Sequence, residues 1–158
     1  MHYSLWGLKL FSILGCGLIA GVFFAFSTFV MSALAQQPPA QGMATMQSIN
    51  VTVINPWFMT VFLGTGVSCL FLTVSVMLKW HQPHSGVLLA GCLCYLIGTI
   101  GVTLFFNVPL NDALAIAKPD SPEGLHLWAQ YLTNWTWWNH IRAIASLVAL
   151  ALLAISLR

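Results

Sequence analysis

Charge is what this chain has least of. Of 158 residues, five are Lys or Arg and three are Asp or Glu, so charged side chains make up 5%. A water-facing surface typically needs about 25%. An ordinary cytosolic enzyme is therefore excluded, and so is a disordered tail. A formal net charge of +2 is too small for the phosphate-neutralising footprint of a nucleic-acid binder. Cysteine is sparse and wrongly spaced for metal or disulfide chemistry. Cys16, Cys69, Cys92 and Cys94 all fall in apolar runs, and none forms a C-x-x-C pair. They read as small apolar residues.

Long hydrophobic runs fill the space that charge leaves. The composition is 59% hydrophobic, and four stretches reach the roughly 20 apolar residues that a spanning helix requires. They cover residues 10–34, 58–78, 86–106 and 138–157. None alternates as a barrel strand would. The expected class is an all-α polytopic membrane protein, a four-transmembrane-helix bundle forming a single domain, with extra short helices in two outer loops. Ala33-Leu34-Ala35 resembles a signal-peptidase site, but the apolar run before it is longer than such a leader carries.

Positive charge in short loops sets orientation. With four spans, Lys9, Lys79 and Arg158 share one side. Lys118 lies on the other with Asp112, Asp120 and Glu123. The expectation is a bacterial inner-membrane protein with both termini cytoplasmic. The long connections, residues 36–57 and 107–137, then face outward, where loops on a rigid scaffold build sites.

In the first connection, Met43, Met46, Gln47, Asn50 and Ile54 recur at helical spacing. Asn55-Pro56 then starts the second span, Asn as N-cap and Pro at the first helical position. Asn107-Val-Pro-Leu-Asn111 predicts a break after the third span, because Pro109 disfavours helical backbone at Val108. A short surface helix over 109–117 follows. Gly17, Gly21 and Ala25, like Gly64 and Ser68, predict small-residue packing ridges.

Histidine and arginine carry the remaining chemistry. His2, His81 and His84 fall on the cytoplasmic side as loop residues, and Pro83 spoils a helical pair between the last two. His126 and His140 lie on the outer side. In Trp135-Thr-Trp-Trp138-Asn139-His140-Ile-Arg142, four residues (135, 138, 139 and 142) share one helix face, with His140 about 100° from Asn139. The tryptophans fit an interfacial aromatic belt. A guanidinium just inside a span either snorkels outward or pairs with something buried, such as Asp112, Glu123 or a bound anion. Asn107, Asn111, Gln47 and Asn50 fall at the same membrane end, and buried amides need partners. A shared polar pocket under the outer loops is the expectation.

Asn107-Val-Pro-Leu-Asn111, Trp138-Asn139-His140-Ile-Arg142 and Gln47-x-x-Asn50-x-x-x-x-Asn55-Pro56 together resemble the DUF1772 family, which includes the anthrone oxygenases. The resemblance covers nearly the whole chain, with spans and loops in the same order. It implies a small four-span membrane protein. Its characterised fungal members oxidise an anthrone to an anthraquinone with O₂, without an added flavin or haem.

On that reading His140 is the general base, and Arg142 with Asn139 or Asn107 stabilises the enolate oxygen. Superoxide is held by the same charge. Trp135 and Trp138 stack on a flat aromatic substrate, while Asn111, Gln47 and Asn50 complete its pocket. The alternative is a non-catalytic binder of haem, copper, a quinone or a lipid, with His140 and His126 as metal ligands. No paired intramembrane charges mark an ion route. A homo-oligomer would give so small a bundle more packing surface.

Overall fold

A computed structural model describes residues 2–78 and 83–157, with residues 2–4 as backbone only. Lys79 and Arg158, which weighed in the charge assignment, and His81 of the discounted histidine pair lie outside the described residues. Within them the chain is helix and short connections, without a strand. The elements are α1 (His2–Ala25), α2 (Met31–Ala35), α3 (Pro39–Thr52), α4 (Pro56–Leu78), α5 (Ser85–Leu93), α6 (Val108–Ile116) and α7 (Pro122–Ile155). A widened π-helical turn over Phe26–Val30 joins α1 to α2. Two more, Cys94–Gly101 and Thr103–Asn107, join α5 to α6.

Four helices are therefore long and apolar enough to cross a membrane: Leu5–Ala35, Pro56–Leu78, Ser85–Ile116 and Pro122–Ile155. The protein is an all-α polytopic bundle. The first span packs on the second and fourth, and the third packs on the same two. Successive spans run in opposite directions, which makes each of these neighbouring pairs antiparallel. Both described chain ends thus lie at one end of the bundle, and α3 lies at the other, called distal here.

Two of the expected breaks are absent. Val108 stays in the right-handed helical region, at φ −61° and ψ −47°, and the third span runs unbroken to Ile116. Pro109 lacks an N–H, and its ring would meet the carbonyl four residues back. The π turn before it displaces that carbonyl and relieves the conflict. The fourth helix starts at Pro122 rather than near residue 138. Ser121 caps it, accepting a hydrogen bond from Gly124 N at 3.0 Å, with Pro122 in the first turn. The supposed long loop of 107–137 shrinks to the few residues between Ile116 and Pro122.

Other local expectations match. α3 forms in the first distal connection, with Met43 and Met46 fully buried. Asn55 caps α4, its Oδ1 taking the Phe58 N–H at 3.0 Å. Ser68 packs on the first span through Ser12 at 2.8 Å. The Gly17–Gly21–Ala25 ridge makes a close approach at Gly17, where a Cβ would meet Leu150 Cδ1 at 3.0 Å, but not at Gly21, where it would meet nothing within 4 Å. Gly15 makes another, because the inward stripe runs through Ser12, Cys16, Ile19 and Phe23 and a Cβ at Gly15 would strike Thr65. Thr99 and Ser146 bond at 2.8 Å between the third and fourth spans.

The apolar interior is in two parts. One holds Cys16, Ile19, Phe23, Phe62, Cys69, Leu72, Tyr95 and Leu153 among the spans. The other holds Met31, Leu34, Met43, Met46, Leu114, Trp128, Tyr131 and Trp135 at the distal end, where α3 packs on α2, α6 and α7. The three free cysteines at 16, 69 and 92 are wholly buried in the first. Along α7 the two parts abut between Trp135 and Ala143. Polar side chains occupy that boundary.

Candidate functional site

The fourth helix builds the site. Trp128, Tyr131, Trp135, Asn139, Arg142, Ser146, Ala149 and Leu153 are its buried residues at steps of three and four, a single inward stripe. Apart from Ser146, which bonds Thr99, the stripe is apolar or aromatic except where it crosses from one core to the other. There it carries Asn139, 0% exposed, and Arg142, 5% exposed.

Arg142 is held by neutral groups. Its Nη2 donates to Asn139 Oδ1 at 2.8 Å and its Nη1 to Thr103 Oγ1 at 3.3 Å. The guanidinium carbon lies 4.2 Å from the Phe23 ring centroid and 5.0 Å from that of Trp135, both within cation–π range. Among the described residues its Nε–H has no partner. Asp112 and Glu123, the carboxylates expected to pair with it, are exposed at the distal surface. The continuous fourth helix puts Glu123 about 28 Å away along its axis, at 1.5 Å per residue, and Asp112 lies beyond the third span's last π turn.

Asn139 locks this arrangement to the first span. Its Nδ2 donates to Phe23 O at 2.7 Å and to Ser27 Oγ at 2.8 Å, at the edge of the Phe26–Val30 π turn. Asn107, 0% exposed, reaches across from the third span, donating from Nδ2 to Trp135 O at 3.2 Å. Its Oδ1 is buried without a partner among the described residues. One unused cationic N–H and one unused amide oxygen thus sit in the same layer, and groups so placed are costly unless something meets them.

A second tier lies distal to this one. Asn111 Oδ1 accepts from Tyr131 Oη at 2.7 Å and from Trp135 Nε1 at 2.8 Å. Asn50 Nδ2 donates to Tyr131 Oη at 3.4 Å. Phe26 adds a tilted contact to Trp135 at 5.6 Å between centroids. Asn111 therefore fixes the Trp135 ring that leans on Arg142.

Asn139, Arg142, Asn107, Trp135, Asn111 and Asn50 are thus brought together, and four expected residues are not. Gln47 donates to Leu114 O and Ala117 O at 2.8 and 3.0 Å, closing the end of α6. Trp138 departs from the face shared by 135, 139 and 142 and stacks on Phe106 of the third span, centroids 3.7 Å apart and planes 14° apart. His140 falls on the opposite flank of α7 from Trp138, half-buried, with no hydrogen-bonding partner among the described residues. His126 is exposed and bonds Gln130 at 3.1 Å. One unbroken helix separates His126 from His140 by about 21 Å along its axis, so a single ion cannot take both from one chain. Among the described residues no cluster of three His, Cys, Asp or Glu side chains is placed to hold a metal.

The sequence reading missed Tyr131, Thr103, Ser27 and Phe23. Tyr131 was legible, because stepping back from Asn139 by four and four reaches it through Trp135. Thr103, Ser27 and Phe23 look like ordinary span residues, and only the assembled bundle shows that they face Arg142. A shallow groove of about 500 Å³ at the distal turn, lined by Ala113, Lys118, Glu123 and Leu127, includes none of the expected site residues.

A family model described as Anthrone oxygenase matches residues 57–152. The match takes in Thr103, Asn107, Asn111, Trp135, Asn139, His140 and Arg142, whereas Phe23, Ser27, Gln47 and Asn50 lie before it. No curated protein and no solved structure matches the chain.

Proposed function

The chain belongs to the anthrone oxygenase family, and from that premise we propose a membrane-embedded oxygenase that uses O₂ on a flat, enolisable aromatic substrate without a bound cofactor. The observation that carries the reading is Arg142, a buried cation whose partners are all neutral. Taking a charge out of water costs several kcal/mol. An anion arriving beside the unused Nε–H would offset that cost, and a substrate that becomes anionic during reaction would be favoured as its charge develops.

The reaction follows from that preference. An activated methylene loses a proton, and the negative charge moves to the substrate's carbonyl oxygen beside Arg142. The carbanion passes one electron to O₂, giving a substrate radical and superoxide, both held next to the guanidinium. Their recombination forms a C–O bond. The hydroperoxide, protonated at its distal oxygen, then loses water across its C–H and O–O bonds. Overall, one CH₂ and one O₂ become one C=O and one H₂O. In this reading Asn139 orients the guanidinium, and Asn107 offers its free Oδ1 to a substrate hydroxyl. Trp135 forms an aromatic wall with Phe23, and Trp138 flanks the substrate from the side. His140 is the base. Its ring has no hydrogen-bonding partner among the described residues, so a nitrogen is open to take the substrate's proton. The same reading puts the chain in a bacterial inner membrane, both termini cytoplasmic, with the distal end outward.

The test is turnover of anthrone by the full chain in liposomes, followed by anthraquinone absorbance and O₂ uptake. We expect Arg142→Gln to lose about 10²–10³ in kcat and His140→Ala about 10²–10⁴. Full turnover by folded Arg142→Gln would overturn the reading. Full turnover by His140→Ala alone would remove the base from it and leave the anion site.

A further inference from the structure

The layer around Arg142 is enclosed by helices on the spans' inner faces, so a hydrophobic substrate needs a way in from the bilayer. The seam between the third and fourth spans has two successive contacts at this level. The outer one is Phe106 on Trp138, nearly parallel at 3.7 Å. The inner one is Thr103 with Arg142, at 3.3 Å the longer of the two guanidinium bonds. These contacts are one helical turn apart on both helices: Thr103 precedes Phe106 by three residues, and Arg142 follows Trp138 by four.

Phe106 is 40% exposed on the lipid-facing side, and its neighbour Phe105 is 75% exposed. The next residue after Phe106 is Asn107, fully buried with its Oδ1 unpartnered. Likewise Trp138 directly precedes Asn139. Each ring of the pair thus stands one residue before a buried amide of the polar layer. Phe106 and Thr103 also share the Thr103–Asn107 π turn, a form that is less regular than α-helix and recurs at functional sites.

We propose that the Phe106–Trp138 pair is a lateral gate through which a planar, polycyclic aromatic ketone or phenol enters from the bilayer. The proposal rests on the oxygenase reading for what happens after entry, but not for the entry itself. The two rings lie nearly face to face, with centroids closer than the roughly 4.5–7 Å that aromatic pairs prefer, so they hold no space that a third ring could not take over. A flat molecule entering the seam replaces ring-on-ring contact with ring-on-ring contact, so opening leaves no apolar face exposed. A bulky saturated molecule of equal hydrophobicity gains no such replacement. The incoming oxygen then meets Thr103 and Arg142 one turn deeper. The weaker Nη1 bond yields, and Nη2 stays on Asn139. The gate selects for flatness, and the cation selects for an oxygen that can carry negative charge.

The test uses anthraquinone, the flat oxidised form that cannot turn over, in phosphatidylcholine liposomes containing the full chain. Stopped-flow quenching of tryptophan fluorescence reads its arrival. We expect Phe106→Ala to speed quenching at least tenfold with an unchanged plateau, Phe106→Trp to slow it, and Phe106→Leu, which keeps apolar bulk without a ring, to resemble Ala. Phe106→Ala should also admit a non-planar saturated tricyclic ketone that the parent chain excludes, read by its competition with anthraquinone. Equal rates in all chains would overturn the gate and favour a route from the distal surface past Asn50. Absence of quenching in every chain would overturn it too. Altered rates in chains that never oxidise anthrone would keep the gate and sink the oxygenase reading instead.

Discussion

Replacing Asn139 by aspartate changes one atom's identity and tests what Arg142 is for. The side chain keeps an oxygen within 2.8 Å of Nη2, so the guanidinium stays in place, but the cation gains a permanent counter-charge. A substrate oxyanion at the free Nε–H would then lie about 5–6 Å from a carboxylate, and two unit charges at that distance repel by about 3 kcal/mol at an effective dielectric constant of 20. At 1.36 kcal/mol per decade, anthrone kcat/KM should fall by about two orders of magnitude. The variant also loses donation to Phe23 O and Ser27 Oγ, which lowers stability by about 1–3 kcal/mol at the 0.5–1.5 kcal/mol typical of each bond. Protonation supplies an internal control. When neutral, the introduced carboxyl donates one bond where the amide donates two, so the variant's activity relative to the parent's at the same pH should be highest at low pH and fall as pH rises through that group's titration; taking the ratio removes whatever the base contributes in both chains. The assay is anthraquinone formation against pH, with thermal unfolding measured in the same detergent. Activity within threefold of the parent across the whole range would refute the claim that an uncompensated charge at Arg142 drives the reaction.

Two further substitutions separate scaffold from site. Gln47→Ala removes two bonds from α3 to the end of α6, so thermal unfolding should show a loss of about 1–3 kcal/mol while kcat stays within twofold. Asn111→Leu leaves Tyr131 Oη and Trp135 Nε1 without their shared acceptor. It should cost about 2–4 kcal/mol and raise KM for anthrone, with a changed tryptophan emission spectrum reporting that the Trp135 ring has shifted.

The spans were legible because a run of twenty apolar residues has few other uses. Their distal extensions were not, for chemical reasons that can be named. Residues 122–137 mix Trp, Tyr, His, Gln and Asn, a composition that reads as interface or loop until α3 supplies a partner for Trp128 and Tyr131. The Asn107-Val-Pro run has every mark of a helix end, and only a widened turn, which no residue type signals, carries the helix through it. The polar convergence at Asn107, Asn139 and Arg142 was visible, since amides and a guanidinium in apolar surroundings must meet something. What they meet was not visible. The ligands of Arg142 are a threonine hydroxyl, an amide oxygen and two ring faces, all ordinary residues from three different spans. His140 shows the opposite failure: a conspicuous residue one position from the inward stripe lands about 100° off it.

The second span has 23 residues where the other three have 31, 32 and 34. At 1.5 Å per residue it is about 35 Å long against roughly 46–51 Å, close to the thickness of a bilayer's hydrocarbon interior. Three pillars therefore stand about 12–16 Å taller than the fourth, and α3 takes the place of the missing length. Tryptophan favours the membrane–water interface, so Trp57, 86% exposed at the short pillar's head, would set the waterline at that corner, with Tyr131 and Asn111 in the tier that α3 covers. A membrane a few ångströms thicker would submerge those hydroxyl and amide groups, so the kind of bilayer this protein inhabits is written into the height of its shortest helix.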